Sequence, residues 1–224
     1  MTDISKRIRD LAITLGADPV KVVQSVQFSQ SGRMRDESSS KWMHFRAQQS
    51  TWTSTCQFVW KARTGPAGLI RVRDALIGEN GRLDVNAFGF IPLARTEATV
   101  ELTQGELMRY LAELPWNPDA ILHNGALHWR EGTTNDLLVR AELKTASAEV
   151  KLYLDEHKRI IKASAPDRPR AINGRFIPTP WVGRFFDHEY RQGRIIPTRA
   201  DVAWIAEGIE TIYWEGRVED WHIQ

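Results

Sequence analysis

The chain has 224 residues, of which 42% are hydrophobic, enough for one large β-rich domain or two small ones. Its 30 basic and 28 acidic residues nearly cancel, so charge alone indicates neither a nucleic-acid nor a membrane-surface role. The single cysteine, Cys56, excludes a disulfide-stapled scaffold, and the sequence has neither a ~20-residue apolar span nor a signal-peptide core, so we expect a cytoplasmic protein.

A short amphipathic helix is predicted within residues 1–20. Four apolar residues fall on one helical stripe: Ile4, Ile8, Leu11 and Leu15. Asp3 can cap the start of this helix, and Gly16 gives a stop signal. Residues 30–41 are polar and rich in serine, which predicts a flexible loop.

From Trp42 onwards apolar residues recur at every second position. In TCQFVWKAR (55–63) the residues on one side are Cys56, Phe58, Trp60 and Ala62, and the pattern recurs in LIRVRDALI (69–77) and AEVKLYLD (148–155). Such alternation is typical of antiparallel strands with one solvated face. Turn signals lie at 79–82, 155–158 and 191–194. We expect about 10 to 12 strands, in two runs at residues 21–102 and 126–224.

A second helix, at residues 103–115, is predicted between the two runs of strands. Thr103 and Glu106 have the spacing of a capping box. An apolar stripe follows at Leu107, Tyr110, Leu111 and Leu114, and Pro115 ends the helix. The expected fold is one mainly β domain, residues 1–224: a single strongly curved antiparallel sheet, an open half-barrel or barrel, with this helix across its concave face and the short N-terminal helix beside it.

Motifs for catalysis, metals and cofactors are missing from the sequence. There is no nucleophile elbow, no zinc-ligand spacing among the six histidines and no glycine-rich phosphate loop. Cys56 falls on an apolar face, where thiols are usually inert. We therefore expect no metal and no cofactor. If a buried carboxyl group acted as a general base, the catalytic candidates would be Arg109, Glu113, Asp187 and Glu189.

A basic run between Lys158 and Arg175 raises the question of nucleic-acid binding, because aromatic residues are plentiful. Most tryptophans, however, fall on the apolar side of the alternating strands, which is the core side. We favour a structural basic turn for this run, so nucleic acid is not an expected partner.

Aromatic and arginine residues concentrate after residue 180, and Trp116 stands in the turn that ends the second helix. The cluster is either a structural lattice inside the barrel or a pocket for an anionic or amphipathic ligand. The candidate ligand-binding residues are Tyr110, Leu114, Trp116, Trp181, Arg184, Phe185, Tyr213 and Trp214. Trp116 itself is either a core anchor or the border of an opening, and the loss of stability in Trp116→Ala distinguishes the two.

Three segments of the chain resemble a bacterial family classed as a domain of unknown function. They are an FxAxQ segment at residues 45–49, a helix ending in RYLAExxW at 109–116, and a tail of the form PWxGRF…PTxxxVxW…YWxG at 180–216. The resemblance implies no known activity. Its expected architecture is similar to the open half-barrel of lipoprotein carriers, in which a helix covers the concave face of the sheet.

Three functions follow as hypotheses. The first is a non-enzymatic protein that binds an apolar or amphipathic small ligand between sheet and helix. The second is an enzyme of unrecognised type, a hydrolase or isomerase, which requires at least two of the catalytic candidates to converge on one cavity. The third is a protein-interaction or oligomerisation module, which predicts a wide apolar patch on the outer face. Neither the ligand nor the oligomeric state follows from the sequence.

Overall fold

The computed structural model describes residues 3–35, 41–88, 91–96, 98–133 and 135–224. Within these ranges lie three helices: α1 (Asp3–Thr14), α2 (Val100–Ala112) and α3 (Pro118–His123). The strands are β1 (Ser25–Met34), β2 (Met43–Trp52), β3 (Phe58–Thr64), β4 (Ile70–Ile77), β5 (Asn80–Ala87), β6 (Ile91–Thr96), β7 (His128–Glu131), β8 (Asp136–Glu142), β9 (Ser147–Leu154), β10 (Ile160–Ile172), β11 (Arg175–Arg191), β12 (Arg194–Ala206) and β13 (Ile209–Ile223). Short 3₁₀ turns are formed by Pro66–Gly68 and Leu114–Trp116.

These thirteen strands of the described chain form one antiparallel sheet, curled into a half-barrel. Their order is β6-β5-β4-β3-β2-β1-β13-β12-β11-β10-β9-β8-β7. The sheet therefore has two halves, each a simple meander, joined where β1 pairs with β13. This confirms the predicted curved antiparallel sheet, with more strands than the count of turn signals suggested.

The predicted alternation decides which side of the sheet is buried. In β3, Phe58, Trp60 and Ala62 are buried while Lys61 and Arg63 are exposed. Successive side chains of a strand point to opposite faces of the sheet. The buried residues of each strand therefore lie together on the concave, apolar face. The core lies on that side, against α2.

Helix α2 bridges the two halves of the sheet on the concave side. It contacts β4 and β5 in one half and β8, β9 and β10 in the other. Leu107 and Leu111 are completely buried in this contact. Helix α1 packs against α3 and β7. Because α2 touches both halves, the space between its C-terminal end and the sheet is lined by residues from both halves of the fold.

The start of α2 differs from the predicted capping box. Thr99 is the N-cap, and its hydroxyl accepts a hydrogen bond from the Leu102 amide at 3.1 Å. The Thr103 hydroxyl instead accepts from the Gly81 amide at 3.1 Å, and Glu106 is buried inside the fold. The capping-box prediction was wrong because a strand amide of β5 takes the hydroxyl that the motif assigned to the helix.

The loop predicted at residues 30–41 begins later in the chain than expected. Strand β1 continues to Met34, and its residues pair with both β2 and β13. Polar composition misled the prediction, because this strand is hydrogen-bonded on both sides and its outer face is solvated. Residues 36–40 lie outside the described part of the chain.

The outer face of the sheet carries a row of six aligned positions, of which five are arginines. Directly paired positions run across β12, β13, β1, β2, β3 and β4: Arg199, Arg217, Ser31, Arg46, Arg63 and Arg71. Arg199 forms an ion pair with Asp187 at 2.9 Å. Within the described residues, Arg46, Arg63 and Arg71 have no carboxylate in ion-pair range. Adjacent strands are only about 4.8 Å apart, so these three positive charges lie close together.

Candidate functional site

A cavity of about 240 Å³ lies between the C-terminal end of α2 and the concave face of the sheet. Both halves of the sheet contribute to it, from β3, β4 and β5 on one side and from β10 to β13 on the other. The aromatic residues of its wall are Trp60, Trp116, Trp181, Phe185, Tyr213 and Trp214. Five charged residues also border it: Asp74, Arg109, Glu113, Arg168 and Asp201. The site is thus a largely aromatic chamber with a few charged groups.

Two Trp-x-Gly pairs build the aromatic wall. A Cβ added at Gly216 would lie 2.3 Å from the ring of Trp214, and one at Gly183 would lie 3.3 Å from the ring of Trp181. Residues two apart share a face of a strand, so the missing side chain of each glycine leaves room for the indole to lie along its own strand. The sequence signature PWxGRF…YWxG therefore encodes two flat indoles on the cavity wall.

Trp116 is buried by packing and also lines the cavity. Only 4% of its surface is exposed, and its ring contacts Phe28 and Phe185 with centroid distances of 5.4 and 5.5 Å. Its indole Nε1 donates a hydrogen bond to the carbonyl oxygen of Pro197 at 2.8 Å. Its own carbonyl accepts from Nε1 of Trp221 at 3.0 Å. This burial and the two hydrogen bonds are those of a core anchor, and the same residue forms part of the cavity wall.

Arg109 is held rigidly at the polar end of the cavity. Its Nη1 donates to Asp74 at 2.6 Å and its Nε to Glu113 at 2.8 Å. The guanidinium lies over the rings of Phe58 and Trp60, 4.7 and 5.3 Å from their centroids. Burial alone would lower the pKa of Arg109, but the nearby carboxylates raise it well above its ordinary value. Arg109 is a fixed cation whose donors are already used.

Glu106 is buried beside this network. Burial, and then the negative charge of Asp74, raises the pKa of Glu106 well above its ordinary value of 4.5. Asp74 lies within hydrogen-bond range of Glu106, yet each has one buried carboxyl oxygen without a donor among the described residues. A proton on Glu106 would supply the donor that these two oxygens lack.

Five of the eight predicted ligand-binding residues line the cavity: Trp116, Trp181, Phe185, Tyr213 and Trp214. Tyr110 and Leu114 are buried on other sides of α2 and its following turn. The Tyr110 hydroxyl donates to the Trp52 carbonyl at 3.0 Å and accepts from Asn124 at 2.9 Å. Arg184 is turned to the opposite face of β11, where it pairs with Asp201 at 2.9 Å and with Glu210.

The four catalytic candidates fall into two separate groups. Arg109 and Glu113 meet at the cavity but are paired with each other. Asp187 and Glu189 are exposed and pair with Arg199 and Arg191, at 2.9 and 2.8 Å. Cys56 is buried, and burial raises the pKa of its thiol to about 11. Two of the four candidates therefore meet at one cavity, as the enzyme hypothesis requires, but they are paired with each other, and the other two point to solvent.

Trp60, Asp74 and Arg168 line the cavity but were not among the sequence candidates. For Trp60 and Asp74 a signal existed, because each alternates with basic residues on its strand and so falls on the inner face. For Arg168 no such signal existed, since a β-bulge between Ala165 and Arg168 shifts the alternation.

Within the described ranges, groups of three or more His, Cys, Asp or Glu residues arranged to hold a metal ion are absent. The helices of the same ranges lack the length and apolar character that crossing a membrane requires.

Solved structures with the same half-barrel fold come from several bacteria. A LolA superfamily protein from Nitrosomonas europaea matches with a TM-score of 0.55 and 15% identity, covering 100% of this chain and 94% of that one. A putative outer membrane lipoprotein-sorting protein domain from Vibrio parahaemolyticus gives 0.53 and 9%, with coverages of 97% and 91%. A DUF1329 family protein from Desulfovibrio piger gives 0.53 and 11%, with coverages of 99% and 94%.

These similarities confirm the expected half-barrel architecture, and they concern the fold alone. Comparison with curated proteins gives no match. At the level of sequence, the profile of a family of unknown function, DUF6920, covers residues 12–222. The chain therefore belongs to the DUF6920 family of unknown function.

Proposed function

We propose that this protein binds an apolar or amphipathic small molecule in the cavity between α2 and the curved sheet, without chemical conversion. The observation that carries the proposal is the wall of six aromatic side chains facing one partly open cavity, with charged groups confined to a few positions. Small-molecule sites are typically concave and largely apolar, with a small number of placed polar groups.

The relatives by fold support the same proposal. One is named as a lipoprotein-sorting protein domain and another as a member of the LolA superfamily. Fold alone is a weak guide to function, so the cavity itself carries the argument. Its volume of about 240 Å³ is close to the lower end of the ~300–1,000 Å³ range of ligand pockets, which favours one slender apolar chain over a bulky ligand.

Catalysis, the second hypothesis, has less support from the geometry. Asp74, Arg109 and Glu113 reach the cavity, but ion pairs occupy all three. Glu106 has the raised pKa of a general acid, yet it lies behind the cavity wall formed by the described residues. An interaction module has less support too, because the centre of the outer face carries exposed charged residues such as Arg46, Arg63 and Arg71.

Native mass spectrometry of the gently purified protein, followed by solvent extraction, tests the proposal. We expect extra mass that disappears on denaturation. Val202 lines the cavity, so Val202→Phe should fill it and abolish the extra mass. Val59 alternates with the buried Phe58 and Trp60 and faces outwards, which makes Val59→Phe the matched control that keeps the ligand.

If wild type carries no extra mass, the purified protein is next titrated with dodecanol and followed by tryptophan fluorescence. A saturable change that Val202→Phe removes and Val59→Phe preserves supports the proposal. No change in wild type, or an equal change in both variants, contradicts it.

A further inference from the structure

Among the described residues that line the cavity, one arginine has a guanidinium that donates no hydrogen bond. Arg168 lines the cavity wall beside the aromatic residues. Its guanidinium carbon lies 4.8 Å from the ring centroid of Trp181 and 5.9 Å from that of Trp204. In the described part of the chain, no carboxylate or carbonyl oxygen accepts a hydrogen bond from it. Arg168 therefore contacts aromatic faces while its polar edge stays free.

A local irregularity of β10 brings Arg168 to this position. Ala163 pairs with Gly183 and Ala165 with Trp181, so both alanines lie on the concave face. The next pairing joins Arg168 to Thr179, because an extra residue is inserted between them. Without this bulge, regular alternation would turn residue 168 to the outer face. Bulges commonly re-aim a side chain in this way near binding sites.

The other arginines near the cavity have their charges already paired. Arg109 donates to Asp74 and Glu113. Arg184, the sequence candidate for a charged ligand group, lies on the opposite face with Asp201 and Glu210. Stacking on indole rings fixes the plane of a guanidinium and leaves its edge open for a two-point contact with an oxyanion.

We propose that Arg168 binds an oxyanionic head group, a carboxylate or phosphate, of an amphiphile whose apolar chain enters the aromatic cavity. This inference rests on the proposed function, because it requires that the cavity holds the apolar chain. It adds the chemical class of the ligand and names the residue that selects it.

The test compares four probes with the same alkyl chain: dodecanoate, dodecyl phosphate, dodecanol and dodecylammonium. Affinities are measured by tryptophan fluorescence and by calorimetry, below the concentration at which the probes form micelles. Wild type should bind at least one of the two anions about tenfold more tightly than dodecanol, since a charge-assisted contact is worth roughly one decade in affinity. The better anion identifies carboxylate or phosphate as the head group.

Variants assign the preference to Arg168. Arg168→Gln should reduce anion affinity about tenfold and leave dodecanol affinity unchanged. Arg168→Lys should keep part of the preference, because it retains the charge but loses the planar fork. Arg184→Gln is the matched control on the other face and should change neither affinity. Unchanged dodecanol binding shows that the variants are folded with an intact cavity.

Failure of the inference and failure of the proposed function have different signatures. Equal binding of anions and dodecanol by wild type, or a preference for dodecylammonium, overturns the role of Arg168 while the cavity keeps its function. Equal loss of all probes in Arg168→Gln also overturns it. If none of the four probes binds wild type, the proposed function fails, and the inference fails with it.

Discussion

Trp116 and Pro197 are joined by a hydrogen bond of 2.8 Å from the indole Nε1 to the proline carbonyl oxygen. This contact fixes the turn after α2 to strand β12, and the Trp116 carbonyl in turn accepts from Trp221 of β13. One residue of the turn is thereby bonded to two neighbouring strands. The position of α2 above the cavity depends on these bonds and on the packing of the indole.

Trp116→Ala should lower the free energy of unfolding by about 3–5 kcal/mol, as expected for a buried aromatic side chain. Trp116→Phe keeps most of the packing but leaves the buried Pro197 carbonyl without its donor, a loss of about 1–3 kcal/mol. Urea unfolding measures both. Trp52, which is 38% exposed, is the control, and Trp52→Ala should cost less than about 1 kcal/mol. Equal losses at the two positions would contradict the anchoring role.

Gly216→Ala should destabilise the protein and disturb the cavity wall. The added Cβ would lie 2.3 Å from the Trp214 ring, which must shift, so we expect a loss of about 1–3 kcal/mol and a change in tryptophan emission. Gly105 in α2 offers the opposite case, because its Cβ would meet only the Pro169 carbonyl at 4.0 Å. Gly105→Ala should therefore stabilise the protein by about 0.5–1 kcal/mol. Chemical denaturation with both variants checks the contrast.

Glu106 should make stability fall as the pH rises above its ordinary pKa of 4.5. The raised pKa means that the folded protein keeps this proton when the unfolded chain has lost it, so proton release favours unfolding. Asp74 strengthens the effect, whereas Arg109 and Arg168 oppose it. Glu106→Gln should flatten this decline and be more stable than wild type at neutral pH. Unfolding measured from about pH 4 to pH 8 tests it, and a decline that persists in the variant assigns it to other groups.

Arg63 stands between Arg46 and Arg71 on paired strands, so removing its charge should help folding. Like charges directly opposite each other destabilise a sheet, and Arg63→Gln should raise the free energy of unfolding by about 0.2–1 kcal/mol. Added salt should stabilise wild type more than the variant, because it screens the repulsion. Arg140 is also exposed but pairs with Glu142 at 2.7 Å, so Arg140→Gln should not be stabilising.

Period-two alternation was sufficient to predict the sheet and its buried side. The inner and outer residues of β3, β4 and β9 are those that the apolar spacing indicated. The orientation of Arg184 was also available from the sequence, because it stands between Gly183 and Phe185 and so faces away from Trp181. Grouping it with the aromatic residues ignored that alternation.

The remaining features depend on contacts between distant segments. The Gly81 amide determines the role of the Thr103 hydroxyl, and the burial of Glu106, followed by the charge of Asp74, raises the pKa of Glu106. The bulge that turns Arg168 inwards is visible only in the pairing of β10 with β11. Sequence patterns describe a segment by itself, so they indicated most of the aromatic wall and the Arg109–Glu113 pair, but not Asp74 or Arg168.

The pairing of β1 with β13 has a consequence for biosynthesis. Val26 pairs with Ile223 where these two strands meet. The strand pair at the centre of the sheet therefore joins segments that leave the ribosome far apart in time. At ordinary translation speed, roughly 10–40 s separate the two strands. During that interval the nascent β1–β6 meander has its β1 edge unpaired and its apolar face uncovered by the second meander. We expect this half-finished sheet to be the stage at which the protein most needs a chaperone.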